Sequence, residues 1–378
     1  MPQVDEHRQP LFAGQVSRLG SRESRAPQLP DLARPEVRAR LLEALRAGWR
    51  DDVEIERLHR AEGGFSSETW FVDVVTGGTS ETVVLRRQAL VGPLEPYDLA
   101  REVAVVRALA DSEVPVAEIY AFCGDHEPVG APFVVMRLVE GDIPEYRTLP
   151  EYPPWADPAN RSAMARECVR MLAAIQRTDP TRSGLDELLE RGEPGDPPVV
   201  GRVRWILDKL EYQVGRTAVL PVLRETASWL CANAPQPPDG PVLVHGDYKV
   251  GNFVWRGNKI AAVLDWEGAG LGDPLEDVGY ACHPLMRVRE PGLMAMLVPI
   301  DELERIYEAE TGRELDRRRL HYFVIYAVYF HLYTLVSSIV AVTNGADFRV
   351  ALGYSKYPRA TVELVRHMDA WERGSHVL

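Results

Sequence analysis

The stretch 242–267, VLVHGDYKVGNFVWRGNKIAAVLDWE, sets Asp247, Asn252 and Asp265 among apolar runs. Residues 242–244 read as a short strand that feeds the loop 245–252. Residues 260–264 read as a second buried strand that ends on Asp265. A carboxylate opening a loop, an amide five residues on and a carboxylate at the next strand tip could converge on one point. Such a set suits Mg²⁺–nucleotide chemistry. Hard cations take oxygen ligands, and in phosphoryl transfer one or two protein oxygens share the ion with substrate phosphates. Asp247 would then be free to orient a substrate hydroxyl and accept its proton. His245 reads as a loop anchor whose neutral ring bridges backbone groups. Lys249 is either a contact to the transferring phosphate or a solvated surface residue. Trp266 reads as packing, and Glu267 as surface charge or a substrate contact.

The elements that must position these groups begin well upstream. Residues 35–47 open with proline and space Val37, Leu41, Leu42 and Leu45 as a helix does. Residues 53–58, 70–75 and 82–86 read as strands, with Gly77-Gly78 turning the chain between the last two. The loop Gly63-Gly64-Phe65-Ser66-Ser67 precedes the second strand. Glycines and small hydroxyls there let backbone N–H groups approach phosphates. The alternation that should bury Val84 places Arg86 on the same face, which favours Arg86 over Arg87 as a cation for the cleft. A helix from near Asp98 carries Glu102, and residues 132–139 read as a buried strand. Further helices are expected from Asp157-Pro158 to about 178, over 202–214, 221–234, 301–310, 315–342 and 357–372, with a surface loop at 182–200. Asp273-Pro274 reads as a helix cap followed by a first-turn proline.

The segment His245-Gly246-Asp247-Tyr248-Lys249-Val250-Gly251-Asn252, with Asp265 downstream, resembles the HxDxxxxN catalytic loop and metal-binding Asp of aminoglycoside phosphotransferase and choline kinase-like enzymes. The resemblance spans roughly residues 50–345. It implies an α+β, protein-kinase-like fold of two lobes: a small antiparallel-sheet lobe over 51–140 and a larger helical lobe over 141–378, with residues 1–50 as an arm and helix. It further implies ATP and Mg²⁺ in the cleft, Asn252 and Asp265 on the metal, and catalytic roles for Asp247 and Lys249. Gly63 to Ser67 resemble the nucleotide-covering loop. Arg86 stands where the family often has Lys, a departure because its planar fork is not equivalent to an ammonium. Glu102 resembles the acidic partner of that cation. Backbone groups near Met136 and Leu138 resemble the adenine-binding hinge, and Asp277 a brace beneath the catalytic loop. Trp155, Tyr146, Trp205 and Tyr212 could touch the acceptor, although packing explains each more simply.

The acceptor stays open at this level. The chain has 378 residues, a length for two lobes, and a net charge of −13 that argues against nucleic-acid or anionic-membrane partners. That acidity is compatible with a cationic, aminoglycoside-like acceptor. The loop 63–69, the end Leu85-Arg86-Arg87 and Gly246-Asp247-Tyr248-Lys249 look closer to the branch fused to acyl-CoA dehydrogenases, which implies a hydroxyacyl-CoA acceptor and a basic mouth from Arg287, Arg289 and Arg317–Arg319. A catalytically silent nucleotide-binding scaffold is a third possibility, with Arg86 as its best support. A protein kinase fits less well, because Gly272-Asp273-Pro274 follows Asp265 almost at once. The four cysteines are widely spaced, which predicts a reducing, cytoplasmic setting without disulfides or zinc. The N-terminus does not read as a signal peptide. Residues 322–342 lack Asp, Glu, Lys and Arg, yet four tyrosines and His331 favour a buried helix over a membrane span.

Overall fold

Alternating burial builds the first part of the chain into a sheet. The computed structural model describes residues 29–61, 67–144, 148–189, 192–193, 195–215, 221–346 and 356–375. Helix α1 (Pro35–Gly48) leads into strands β1 (Glu54–Arg60), β2 (Ser67–Thr76) and β3 (Thr79–Gln88). Helix α2 (Leu99–Leu109) and strands β4 (Ile119–Cys123) and β5 (Phe133–Arg137) follow. The strands form one antiparallel sheet in the order β1-β2-β3-β5-β4. Successive side chains of a strand face opposite ways, and both faces here are used. Phe133 and Val135 pack with Val83, Leu85 and, from α1, Val37, Leu41 and Leu45. Val134 and Met136 pack the other way, against Leu99 and Val103 of α2. On β3 the fully buried residues are Val83, Leu85 and Arg87, not Val84 as expected; Val84 is half-buried and shares its face with Arg86.

The rest of the described chain is mostly helical. Single turns α3 (Pro153–Ala156) and α5 (Leu185–Leu188) accompany α4 (Pro158–Gln176), α6 (Pro198–Val214) and α7 (Pro221–Ala232). Next come β6 (Val242–Val244), β7 (Phe253–Arg256), β8 (Lys259–Val263), β9 (Gly270–Gly272) and α8 (Glu276–Cys282). Helices α9 (Ile300–Thr311), α10 (Arg317–Thr343) and α11 (Tyr357–Glu372) complete it. The expected loop at 182–200 is interrupted by α5 and by the start of α6. The two strands read around the catalytic loop do not pair with each other: β6 pairs with β9, and β8 with β7. Asp273 is not the cap of α8, which begins at Glu276. Its Oδ1 accepts from Leu275 N at 2.9 Å, and its other oxygen pairs with Arg319.

Helix α10 is buried on nearly every side and packs against α8, α11, α6 and α7. It is long and apolar enough to cross a membrane, but most of that apolar surface is spent on the core. Gly279 permits the closest approach, since a Cβ there would lie 2.5 Å from the Cβ of Phe323. The chain is thus an α+β assembly of a small antiparallel-sheet lobe and a larger helical lobe. After β5 it is pinned to the β7–β8 hairpin by two backbone hydrogen bonds, Asp142 N to Trp255 O at 2.9 Å and Trp255 N to Asp142 O at 2.8 Å.

Candidate active site

The loop between β6 and β7 is held from two sides. Asp277, buried on α8, accepts hydrogen bonds from the backbone of His245 (2.7 Å) and Gly246 (2.9 Å). His245 Nδ1 accepts from Asp247 N at 3.2 Å, so the neutral ring carries its proton on Nε2 and donates it to Leu264 O at 2.8 Å. His245 therefore anchors the loop to the strand that ends at Asp265. Gly246 has φ +80°, and a Cβ on it would come within 2.1 Å of Gly268 O, so this position needs glycine twice over.

These restraints leave the two oxygens of Asp247 unlike each other. Oδ2 accepts from Lys249 Nζ at 2.5 Å and from Asn252 Nδ2 at 2.7 Å. Oδ1 is buried and makes no hydrogen bond of ordinary geometry. Burial raises the Asp247 pKa, but the charge and hydrogen bond of Lys249 outweigh it, helped by the approaching Tyr280 hydroxyl; the net shift is downward. Burial likewise opposes the charge on Lys249, and Asp247 more than restores it. The group is a carboxylate with one oxygen tied down and the other buried beside the Tyr280 hydroxyl.

Asn252 also donates to Asp247 O at 2.9 Å, and its own carbonyl accepts from Leu264 N at 2.8 Å, which sets it beside Asp265. Asp265 adopts the left-handed region, φ 66°, ψ 60°, a strained conformation that Asp tolerates better than most residues. Its Oδ1 accepts from Arg86 Nη2 at 3.1 Å. Arg86 also pairs through Nη1 with Glu102 and donates from Nε to Ser67 Oγ at 3.2 Å. Burial disfavours its charge, yet Glu102, Asp265 and Glu267 hold it firmly protonated. Arg87 points to the opposite face and is buried there, bound to Glu68 and to the carbonyls of Pro30 and Val129 at 2.8 Å each. Asn252 offers one side-chain oxygen and Asp265 two, a set that fits a Mg²⁺ shared with phosphates. A cleft lined by Ser67, Arg86, Tyr97, Glu102 and Glu267 opens on the other side of Arg86.

Residues 57–320 match the phosphotransferase enzyme family. The chain belongs to that family. Among curated relatives, acyl-CoA dehydrogenase family member 10 of Mus musculus is 28% identical over 66% of this chain and 23% of its own length. Family member 11 of Gallus gallus is 32% identical over 58% of this chain and 26% of its own. The chain thus aligns with about a quarter of the length of these relatives. A protein of Ralstonia eutropha JMP134 assigned to the aminoglycoside phosphotransferases superposes with a TM-score of 0.67 at 23% identity, covering 92% of this chain and 99% of that one. A choline/ethanolamine kinase family protein of Mesorhizobium loti gives 0.53 at 18%, with 89% and 99% covered. The aminoglycoside phosphotransferase APH(4)-Ia, in ternary complex with AMP-PNP and hygromycin B, gives 0.56 at 17%, with 86% and 98% covered. At these identities the likeness shows the kinase-like fold.

Within this phosphotransferase fold, the remaining expected residues fall unevenly. Gly63, Gly64, Phe65 and Ser66 lie outside the described residues, as does Tyr146; Ser67 opens β2 and meets Arg86. Met136 lies inside β5, opposite Val84 and Ile119, whereas Leu138 stands beyond the last paired residue of that strand. Trp155 is core: it is buried and donates to Met296 O at 2.7 Å. Trp205 packs edge-on against Tyr333, and the Tyr212 ring lies under Lys209. Four of the five arginines named for a basic mouth are engaged elsewhere. Arg287 is buried on the Cys282 and Pro291 carbonyls, Arg317 pairs with Asp301 and Glu304, Arg318 stacks on Trp371, and Arg319 pairs with Asp273. Sequence reasoning missed Tyr280. It lies one turn after Asp277 on α8, and that three-residue spacing puts both on the side facing the loop 245–252.

Proposed function

We propose that the chain transfers the γ-phosphoryl group of ATP to a hydroxyl of a small molecule. The observation that carries this reading is the asymmetry of Asp247, whose Oδ2 is held by Lys249 and Asn252 while Oδ1 is buried with only the Tyr280 hydroxyl near it. An acceptor hydroxyl donating to Oδ1 would be aimed by a fixed carboxylate and would give up its proton there. In a loose transition state, such positioning counts for more than base strength. Asn252 and Asp265 would hold Mg²⁺, which would offset the charge that develops on the phosphates. Arg86, fixed by Glu102, would face the nucleotide phosphates. Gly63 to Ser67 would cover them, and the backbone at Leu138 would meet the adenine.

The test is ADP release with Mg²⁺-ATP over a panel of aminoglycosides, choline-like amines and hydroxyacyl-CoA thioesters, with Asp247→Ala alongside. The variant should lose about 10²- to 10⁴-fold in kcat while still binding ATP. Undiminished turnover in the variant would sink the reading. A wild-type protein that binds ATP and turns over none of the panel would favour the silent scaffold. Within the panel, the relatives named as acyl-CoA dehydrogenase family members support hydroxyacyl-CoA thioesters as a second reading of the acceptor.

A further inference from the structure

Two histidines that phosphoryl transfer does not use stand beyond Tyr280. His283 follows the end of α8 and is fully buried; His331 lies on α10. Their ring centroids are 5.4 Å apart, with the planes tilted by 51°. The Tyr280 ring meets His283 edge-on at 5.4 Å and packs on Phe330, next to His331 in the chain, at 6.2 Å. Because the Tyr280 hydroxyl approaches Asp247, one continuous wall runs from Asp247 through Tyr280 to the two histidines.

The proton on His283 can be placed. Leu285 N donates to His283 Nδ1 at 3.3 Å, so Nδ1 is bare. Burial keeps the ring neutral, as do His331, Lys356, Arg287 and Lys249 around it. A neutral ring with a bare Nδ1 carries its proton on Nε2. That Nε2–H is buried and has no acceptor among the described residues. His331 Nε2 is buried and unpartnered in the same way. Burial, Lys356 and Lys249 push the His331 pKa down to about 4, against a smaller opposing pull from Asp247. Folded proteins leave few buried polar atoms unpaired, and here two belong to rings 5.4 Å apart, on the wall that leads from Asp247.

We infer that His283 and His331 form an oxygen-anchoring subsite for the acceptor. It takes a hydrogen-bond-accepting oxygen, a carbonyl or a carboxylate, carried on the same molecule as the hydroxyl that Asp247 receives. The inference rests on the reading of Asp247 as the acceptor-orienting group. An ammonium group has only protons to offer to the Nε2–H of His283, and Lys249 and Lys356 add like charge, so the subsite selects against polycations.

Nitrogen-15 NMR of labelled histidine side chains tests this in the full chain loaded with ADP and Mg²⁺. The probes are 4-hydroxybutyrate, 3-hydroxybutyryl-CoA, kanamycin and choline, with the His283 and His331 signals assigned through contacts to Tyr280 and Phe330. The expected result is a shift at both Nε2 atoms with one or both oxygen-bearing probes and none with the amines. The two oxygen-bearing probes separate a carboxylate from a thioester carbonyl. His331→Leu should raise the KM for such an acceptor about tenfold, the loss of one hydrogen bond, with kcat reduced less. His331→Gln, which keeps a donor, should recover part of it. Turnover of an oxygen-bearing acceptor with neither Nε2 moving overturns the subsite and leaves the phosphotransferase reading standing. Shifts without turnover uphold the subsite and count against the transfer. Shifts with the amines alone overturn it.

Discussion

Arg86 stands between two carboxylates, Glu102 on α2 and Asp265 beyond β8, and so ties the sheet to the end of the β7–β8 hairpin. Its fork lets one side chain serve both, which an ammonium on a flexible stem does less well. Replacing it with Met would leave the buried Glu102 beside Asp265 without compensation. Removing one partner of such a pair costs about 3–5 kcal/mol. Arg86→Met should therefore lower stability by about that amount in denaturant titrations, and Arg86→Lys by less. Equal losses in the two variants would show that the fork is irrelevant. At this scale much was readable: strand alternation separates Arg86 from Arg87, and the spacing of Asp247, Asn252 and Asp265 marks the loop. The burial of Arg87 was not readable, because Glu68, Pro30 and Val129 come from three separate segments. Nor were His283 and His331, since a lone histidine in an apolar run looks like any satisfied core residue.

Elements were legible where local pattern and tertiary demand agree. The limits of β6 and α11 coincide with the apolar run 242–244 and the amphipathic stretch 357–372. Strand β9 is Gly-Leu-Gly and has no strand signature; only its pairing with β6 makes it one. Strand β4 escaped notice because a bulge between Ile119 and Ala121 breaks its alternation. The packing of α11 on α10 has a consequence that no single sequence window contains. His321 Nε2 and His367 Nδ1 lie 2.9 Å apart, both buried. Burial and then His321 push the His367 pKa down from 6.5 to about 3. A pKa depressed on folding contributes stability that is whole above pH 6.5 and is lost as pH falls toward 3. Glu276, pushed up to about 7 by burial despite Arg202, acts in the opposite sense over part of that range, so a comparison of variants is needed. The stability gap between wild type and His367→Asn should shrink by about 2 kcal/mol from pH 7 to pH 5 in chemical denaturation. A gap that stays constant would mean that His367 does not titrate between the two states.

The whole molecule presents a conflict of signs. Its net charge of −13 creates a far field that attracts cations and repels anions before any contact is made. The wall beyond Asp247 has the opposite character at short range, with Lys249 and Lys356 acting on two neutral histidines. Salt separates the two, because exposed charges are screened beyond about 10 Å at 0.1 M while a buried pocket is screened far less. For an anionic acceptor, kcat/KM should rise as salt increases from about 0.02 to 0.2 M, since screening removes the repulsion during approach and leaves the pocket intact. A cationic acceptor should show the reverse. The measurement is a kcat/KM series at constant nucleotide and Mg²⁺ for a hydroxy acid and for an aminoglycoside. If kcat/KM for the hydroxy acid falls with salt, attraction governs its approach as well, and the local positive wall must reach further into solvent than its burial implies. A rise for the hydroxy acid and a fall for the aminoglycoside would assign the far field to the whole surface. Discrimination between acceptors would then rest on the few side chains around Tyr280.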